Sequence, residues 1–133
     1  MSDRADVPSA VLAELRKICA GLPESYEEPA WVGTRWRVRQ RTIAHVFTAQ
    51  PGATGAFSRA ASLTAPAVVM TFRADGEEFE ALVNGGPPFF RAAWGFDVVG
   101  MIVERDADWA EIRELLTESY RKLAPAKLVR QLG

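Results

Sequence analysis

Apolar residues recur at helical spacing towards both ends of the chain and at strand spacing between them. Val11, Leu15, Ile18 and Leu22 repeat every three or four positions, with Leu12 beside them, which predicts an amphipathic helix. Asp6 is placed to cap it, Pro8 fits its first turn, and Gly21 with Pro23 stops it. Further on, Asp108-Trp-Ala-Glu111 reads as a capping-box-like start. Trp109, Ile112, Leu116, Tyr120 and Leu123 follow it at helical period. Pro125 breaks that helix, and residues 127–132 are expected to form a short tail helix.

Between the helices the period changes to two. Residues 26–33 read as a connector, and residues 34–38 and 41–48 as the arms of a hairpin. A two-residue turn at Arg39-Gln40 puts Val38 opposite Arg41, Trp36 opposite Ile43 and Thr34 opposite His45. Opposed residues share a face, so Trp36, Val38, Ile43 and Phe47 form the buried side, with His45 at its mouth. Arg35, Arg37, Thr42 and Ala44 form the other side. Arg-Gln is an unusual turn pair, because primed turns favour Asn and Gly. Residues 67–73 are a third strand with Val68, Met70 and Phe72 on one face. Asp75-Gly-Glu-Glu78 starts a short helix with Phe79, Leu82 and Val83 inside and Gly85 at its end. Residues 87–96 are an aromatic stretch, and residues 98–104 a final apolar strand.

Residues 50–66 are rich in Ala, Gly, Ser and Thr, and their small, polar side chains lead us to expect a mobile loop or part of a binding surface. The fold expected is α+β: one antiparallel sheet with the N- and C-terminal helices packed on one face. A single domain is expected over residues 1–133. Trp36, Ile43, Phe47, Val68, Met70, Phe72, Ile102, Trp109, Ile112 and Leu116 are expected to share one core.

Composition narrows the class. The chain has 133 residues, 48% of them hydrophobic and 25% charged, as in ordinary globular domains. No apolar run approaches the roughly 20 residues that span a bilayer, and no secretory h-region follows the polar start. The expectation is a cytoplasmic protein with no membrane association. Its one cysteine, Cys19, has no disulfide partner within the chain and suits a reducing compartment. The net charge of -1 argues against wholesale coating of nucleic acid and leaves room for a local basic patch.

Such a patch exists. Residues 35–41 read Arg-Trp-Arg-Val-Arg-Gln-Arg, an arginine at every second position. Arg35, Arg37 and Arg39 are candidate phosphate contacts, with Lys127 and Arg130 from the tail as further nucleic-acid-binding candidates. The alternative is a solvated strand face paired with Glu27 and Glu28. Trp31, Phe90 and Trp94 are candidates for an apolar cleft that takes a small planar ligand or a partner's side chain; the alternative is core packing. Glu111, Glu114 and Glu118 share one side of the last helix, and a solvated outer face explains them better than a hard-cation site. His45 is the lone histidine and reads as a hydrogen-bonded boundary residue. Phosphate loops, paired cysteines and Gly-x-Ser-x-Gly are absent. No catalytic residue, metal or cofactor is therefore assigned.

The ordered blocks Leu22-Pro-Glu24, Pro29-Ala-Trp31, Trp36-Arg-Val38, Leu82, Pro88-Phe89, Val98-Val99 and Thr117-Glu-Ser-Tyr120 resemble the MmcQ/YjbR family over about residues 10–128. The resemblance implies a frataxin-like α+β domain and brings a suggestion of DNA binding. This chain departs from the commoner pattern twice. No histidine precedes Trp94, and Arg39-Gln40 stands where a glycine often turns the hairpin. The expected function is thus a non-enzymatic binding domain, with nucleic acid at the basic hairpin as its candidate partner. The alternative is a small-ligand or protein-binding module that uses the aromatic cleft. Electrostatics separates them. Convergent open arginines favour nucleic acid, whereas arginines neutralised by acids, with a pocket beside Trp94, favour the ligand.

Overall fold

A computed structural model describes residues 7–50, 65–92, 95 and 97–132. Asp6, most of the stretch 50–66, and Trp94 with Phe96 lie outside the described residues, and with them the expectations placed on those positions. The element order is α1 (Ser9–Ala20), β1 (Tyr26–Pro29), β2 (Thr34–Val38), β3 (Arg41–Ala49), β4 (Ala67–Arg73), α2 (Gly76–Asn84), β5 (Phe89–Arg91), β6 (Val98–Ile102), α3 (Trp109–Leu123), α4 (Ala126–Val129) and a closing 3-10 turn. The six strands form one antiparallel sheet in the order β1-β2-β3-β4-β6-β5. The fold is α+β, as expected.

One face of the sheet carries the helices and the main core. Leu15 and Ile18 of α1, Phe79 of α2, and Ile112, Leu116 and Tyr120 of α3 pack on Trp36, Val38, Val46, Met70, Phe72, Val99 and Met101. Burying one such aliphatic side chain is worth about 1.5–3 kcal/mol. Cys19 belongs to this core, and burial, then the charge of Glu27, pushes its thiol up to about 12. The Asp108 carboxylate caps α3 by accepting from Glu111 N–H at 3.1 Å. Asp75 precedes α2 without a side-chain cap bond, because its carboxylate instead accepts from Lys122.

Four expectations are corrected. Residues 26–29 are not a connector but the edge strand β1, paired Tyr26↔Arg37 to Pro29↔Thr34. The hairpin register differs as well. Trp36 faces Ala44 and Arg35 faces His45, with a bulge between Trp36 and Arg37 in the pairing. The bulge gives β3 one extra residue at Ile43, and a one-residue slip exchanges faces. His45 and Phe47 therefore leave the helix face for the opposite one. The single core becomes two for the same reason. Phe47 and Ile102 join a second cluster with Ala49, Val69 and Phe90 on the outer face. Val68 and Trp109 pack against the main core only partly buried. The last strand ends at Ile102, two residues short of expectation.

Candidate functional site

The outer face, away from the described helices, carries a row of polar side chains. Its central row follows from the pairings Glu28↔Arg35, Arg35↔His45, His45↔Thr71, Thr71↔Gly100 and Gly100↔Phe90. Directly paired residues stand side by side about 4.8 Å apart, so this row crosses the whole sheet. At its far end, Gly100 makes room for Phe90. A Cβ at position 100 would lie 2.4 Å from the Phe90 ring.

Over the near end stands Trp31, 96% exposed. The loop that carries it, between β1 and β2, is fastened on both sides. Ala30 N–H donates to Gly33 O at 3.0 Å. His45 Nε2–H donates to Val32 O at 2.6 Å, which fixes the proton on Nε2. Gly33 has φ +76, and a Cβ there would fall 1.9 Å from Val46 O, so only glycine closes this loop. Beneath it lies a concavity of about 390 Å³, with Trp31, Arg35, His45, Thr71, Arg73 and Val98 in its lining. Thr71 is 4% exposed. The His45 ring lies 4.9 Å from that of Phe47. Burial, ahead of the charge on Arg35, lowers the His45 pKa, against the raising effect of the Val32 carbonyl.

The arginines come with acids. Glu28 accepts from Arg35 Nε at 2.6 Å and from Arg37 Nη1 at 3.2 Å. The Arg35 hydrogen bond, with Arg37 behind it, holds the Glu28 carboxyl below its ordinary value. Arg37 also donates to Gln40 O, and its buried Nε has no partner among the described residues. Arg39 pairs with Glu24 at 3.1 Å. Arg73 meets the buried Asp97 at 3.3 Å, and Lys122 approaches the same carboxylate at 3.8 Å. Lys127 and Arg130 are exposed and form no ion pair among the described residues.

The candidates from the sequence therefore divide. Arg35 and Trp31, proposed for different ligands, line the same concavity. Phe90 is buried in the second cluster and lies off it. Glu111, Glu114 and Glu118 do line one shallow surface with Arg113. Among the described residues no group of acids, histidines or cysteines converges as a metal site would. Thr71 and Arg73 were not singled out from the sequence. Their signal was the alternation in residues 67–73, which sets 69, 71 and 73 opposite Val68, Met70 and Phe72. His45 gave no such signal, because its placement depends on the bulge.

Among the described residues no helix is long and apolar enough to cross a membrane. A protein-family model, YjbR, matches residues 20–122. That span contains the entire sheet, the Trp31 loop and nearly all of α3. No curated protein matches the chain.

Proposed function

The chain belongs to the YjbR family, and from that premise we propose a non-enzymatic binding domain that seats a small ligand or a partner's side chain on the outer sheet face beside Trp31. One observation carries the reading: a tryptophan 96% exposed on a loop that His45 and Gly33 hold in place. An exposed indole presents a large flat apolar surface to a partner, and a loop backbone fixed beforehand gives up little entropy on binding. The ion pairs agree, since Glu28 and Glu24 already engage Arg35, Arg37 and Arg39 and leave them short of one carboxylate. The lone buried Cys19 fits a cytoplasmic location, and helices on one face of an antiparallel sheet fit the frataxin-like likeness; both are part of the proposal.

The test is the Trp31 indole N–H signal in NMR, assigned with Trp31→Phe, during titration with planar acids, amides and amines. A response of Trp31 and Thr71 with the core signals unmoved is the expected result. Silence at Trp31 towards every compound removes the reading.

Nucleic acid at the hairpin is the second reading, favoured by the exposed Lys127 and Arg130 and by three arginines that share two carboxylates. In that case affinity for B-DNA falls steeply with salt. The log-log slope shrinks by about 0.9 for each phosphate contact removed from Arg35, Arg37, Arg39, Lys127 or Arg130. Absence of binding to duplex and single strand at low salt rejects it.

A further inference from the structure

The groove has a charge and a shape that together specify a ligand class. Three guanidiniums, Arg35, Arg37 and Arg73, meet two carboxylates, Glu28 and Asp97, on this face. Lys122 is matched by Asp75. Among the described residues one positive charge is thus left over beside the concavity. Partly screened and partly buried, it attracts one anionic group and not a run of them.

The second observation is Thr71. The residue is only 4% exposed, so the strand holds it in place. Thr71 lies in the lining of the concavity and offers a hydroxyl to a ligand seated there. It stands two strands from Arg35 in the central row, with the His45 ring between them. The lining therefore runs from guanidinium through a flat ring to hydroxyl, with Trp31 at its rim. A volume of about 390 Å³ lies at the small end of the range for ligand pockets.

We infer that the groove binds a flat ring carrying a single carboxylate, with the ring against Trp31 and His45 and the carboxylate between the Arg35 guanidinium and the Thr71 hydroxyl. This deepens the binding reading above and rests on it. Arg35 offers a planar fork that matches a carboxylate, at the expense of loosening its hold on Glu28. Arg37 keeps Glu28 from being left alone.

The test uses the full chain with two uncoupled probes of one shape, 2-naphthoate and its neutral amide, followed by NMR at the Trp31 indole and the Thr71 amide. The acid should bind at least about tenfold more tightly than the amide, because a charge-assisted bond replaces a neutral one. Arg35→Gln should abolish that preference, and Thr71→Val should reduce it severalfold while the core signals stay in place. Equal binding of acid and amide overturns the carboxylate inference and leaves the binding reading standing. No response of Trp31 to either compound overturns both. If Arg35→Gln does not fold, the ratio of acid to amide on the unaltered protein still decides.

Discussion

Ser119 shows how one small side chain holds a site that it does not touch. It is fully buried. Its hydroxyl donates to Ile43 O at 2.8 Å and accepts from Arg73 N–H at 3.0 Å. Those are the backbone groups freed where the bulge and the end of β4 interrupt the β3–β4 ladder, which begins at Ala44↔Phe72. Ser119→Ala should therefore cost about 1–3 kcal/mol in denaturant melts, since two buried groups lose their partner. A loss within experimental scatter would mean that water replaces the hydroxyl. His45 offers a second expectation. Its folded pKa is lowered from the ordinary 6.5, so below that pH the unfolded chain holds more protons than the folded one. Stability is then full above about pH 6.5 and falls as acidification approaches the lowered value. His45→Gln should flatten the melting-temperature profile below about pH 6.5 relative to the parent protein. An unchanged slope would assign it to other groups. Ser119 was visible in the sequence only as part of a block, because its two partners are backbone atoms 76 and 46 positions away.

At the scale of elements, periodicity located the helices and the third strand, since each buries one continuous stripe. It missed β1, because Tyr-Glu-Glu-Pro is polar and its pairing with β2 is made by backbone. It misread the register of the hairpin because Ile43-Ala44 and Val46-Phe47 are doubled apolar pairs. A strand covered on both faces gives up the alternation from which register is read. The turn itself fell where expected. Arg39 and Gln40 have φ 50 and 67, the left-handed pair that a primed hairpin turn requires. Each non-glycine residue in that region costs roughly 1 kcal/mol. Gln40→Gly should raise stability by about 0.5–1 kcal/mol, less what glycine adds to the freedom of the unfolded chain. The Arg37 bond to the carbonyl at position 40 needs no side chain there and survives the change. A lower melting temperature for this variant would contradict the turn geometry. The Trp31 loop was legible as sequence, Pro29-Ala-Trp31 and Gly33, but not its exposure, which depends on where His45 points.

For the molecule as a whole, charge and topology divide the labour. The helix face is stitched by apolar packing, while the outer face holds the guanidiniums, their carboxylates and an uncovered tryptophan. Composition foretold a near-neutral protein, and the structure adds that neutrality is reached locally, by pairs such as Arg16 with Glu27 at 2.9 Å. Two blocks that looked separate in sequence also meet. Tyr120 is fully buried, and its hydroxyl donates to Pro23 O at 2.7 Å across 97 positions of chain. That bond has a consequence for the order in which the protein assembles. Most strand pairs join neighbours along the chain, and only β4 with β6 spans an intervening strand. The loops that such hairpins close are cheap in entropy, whereas bringing Pro23 to Tyr120 closes one of the longest in the molecule. The sheet and α3 should therefore reach the folding barrier first, with the end of α1 docking after it. Tyr120→Phe should then speed unfolding by roughly the whole of its stability loss, about 1 kcal/mol or a factor of about five. Stopped-flow folding rates should hardly change, and a folding limb slowed by the same factor would place that long closure at the start of folding.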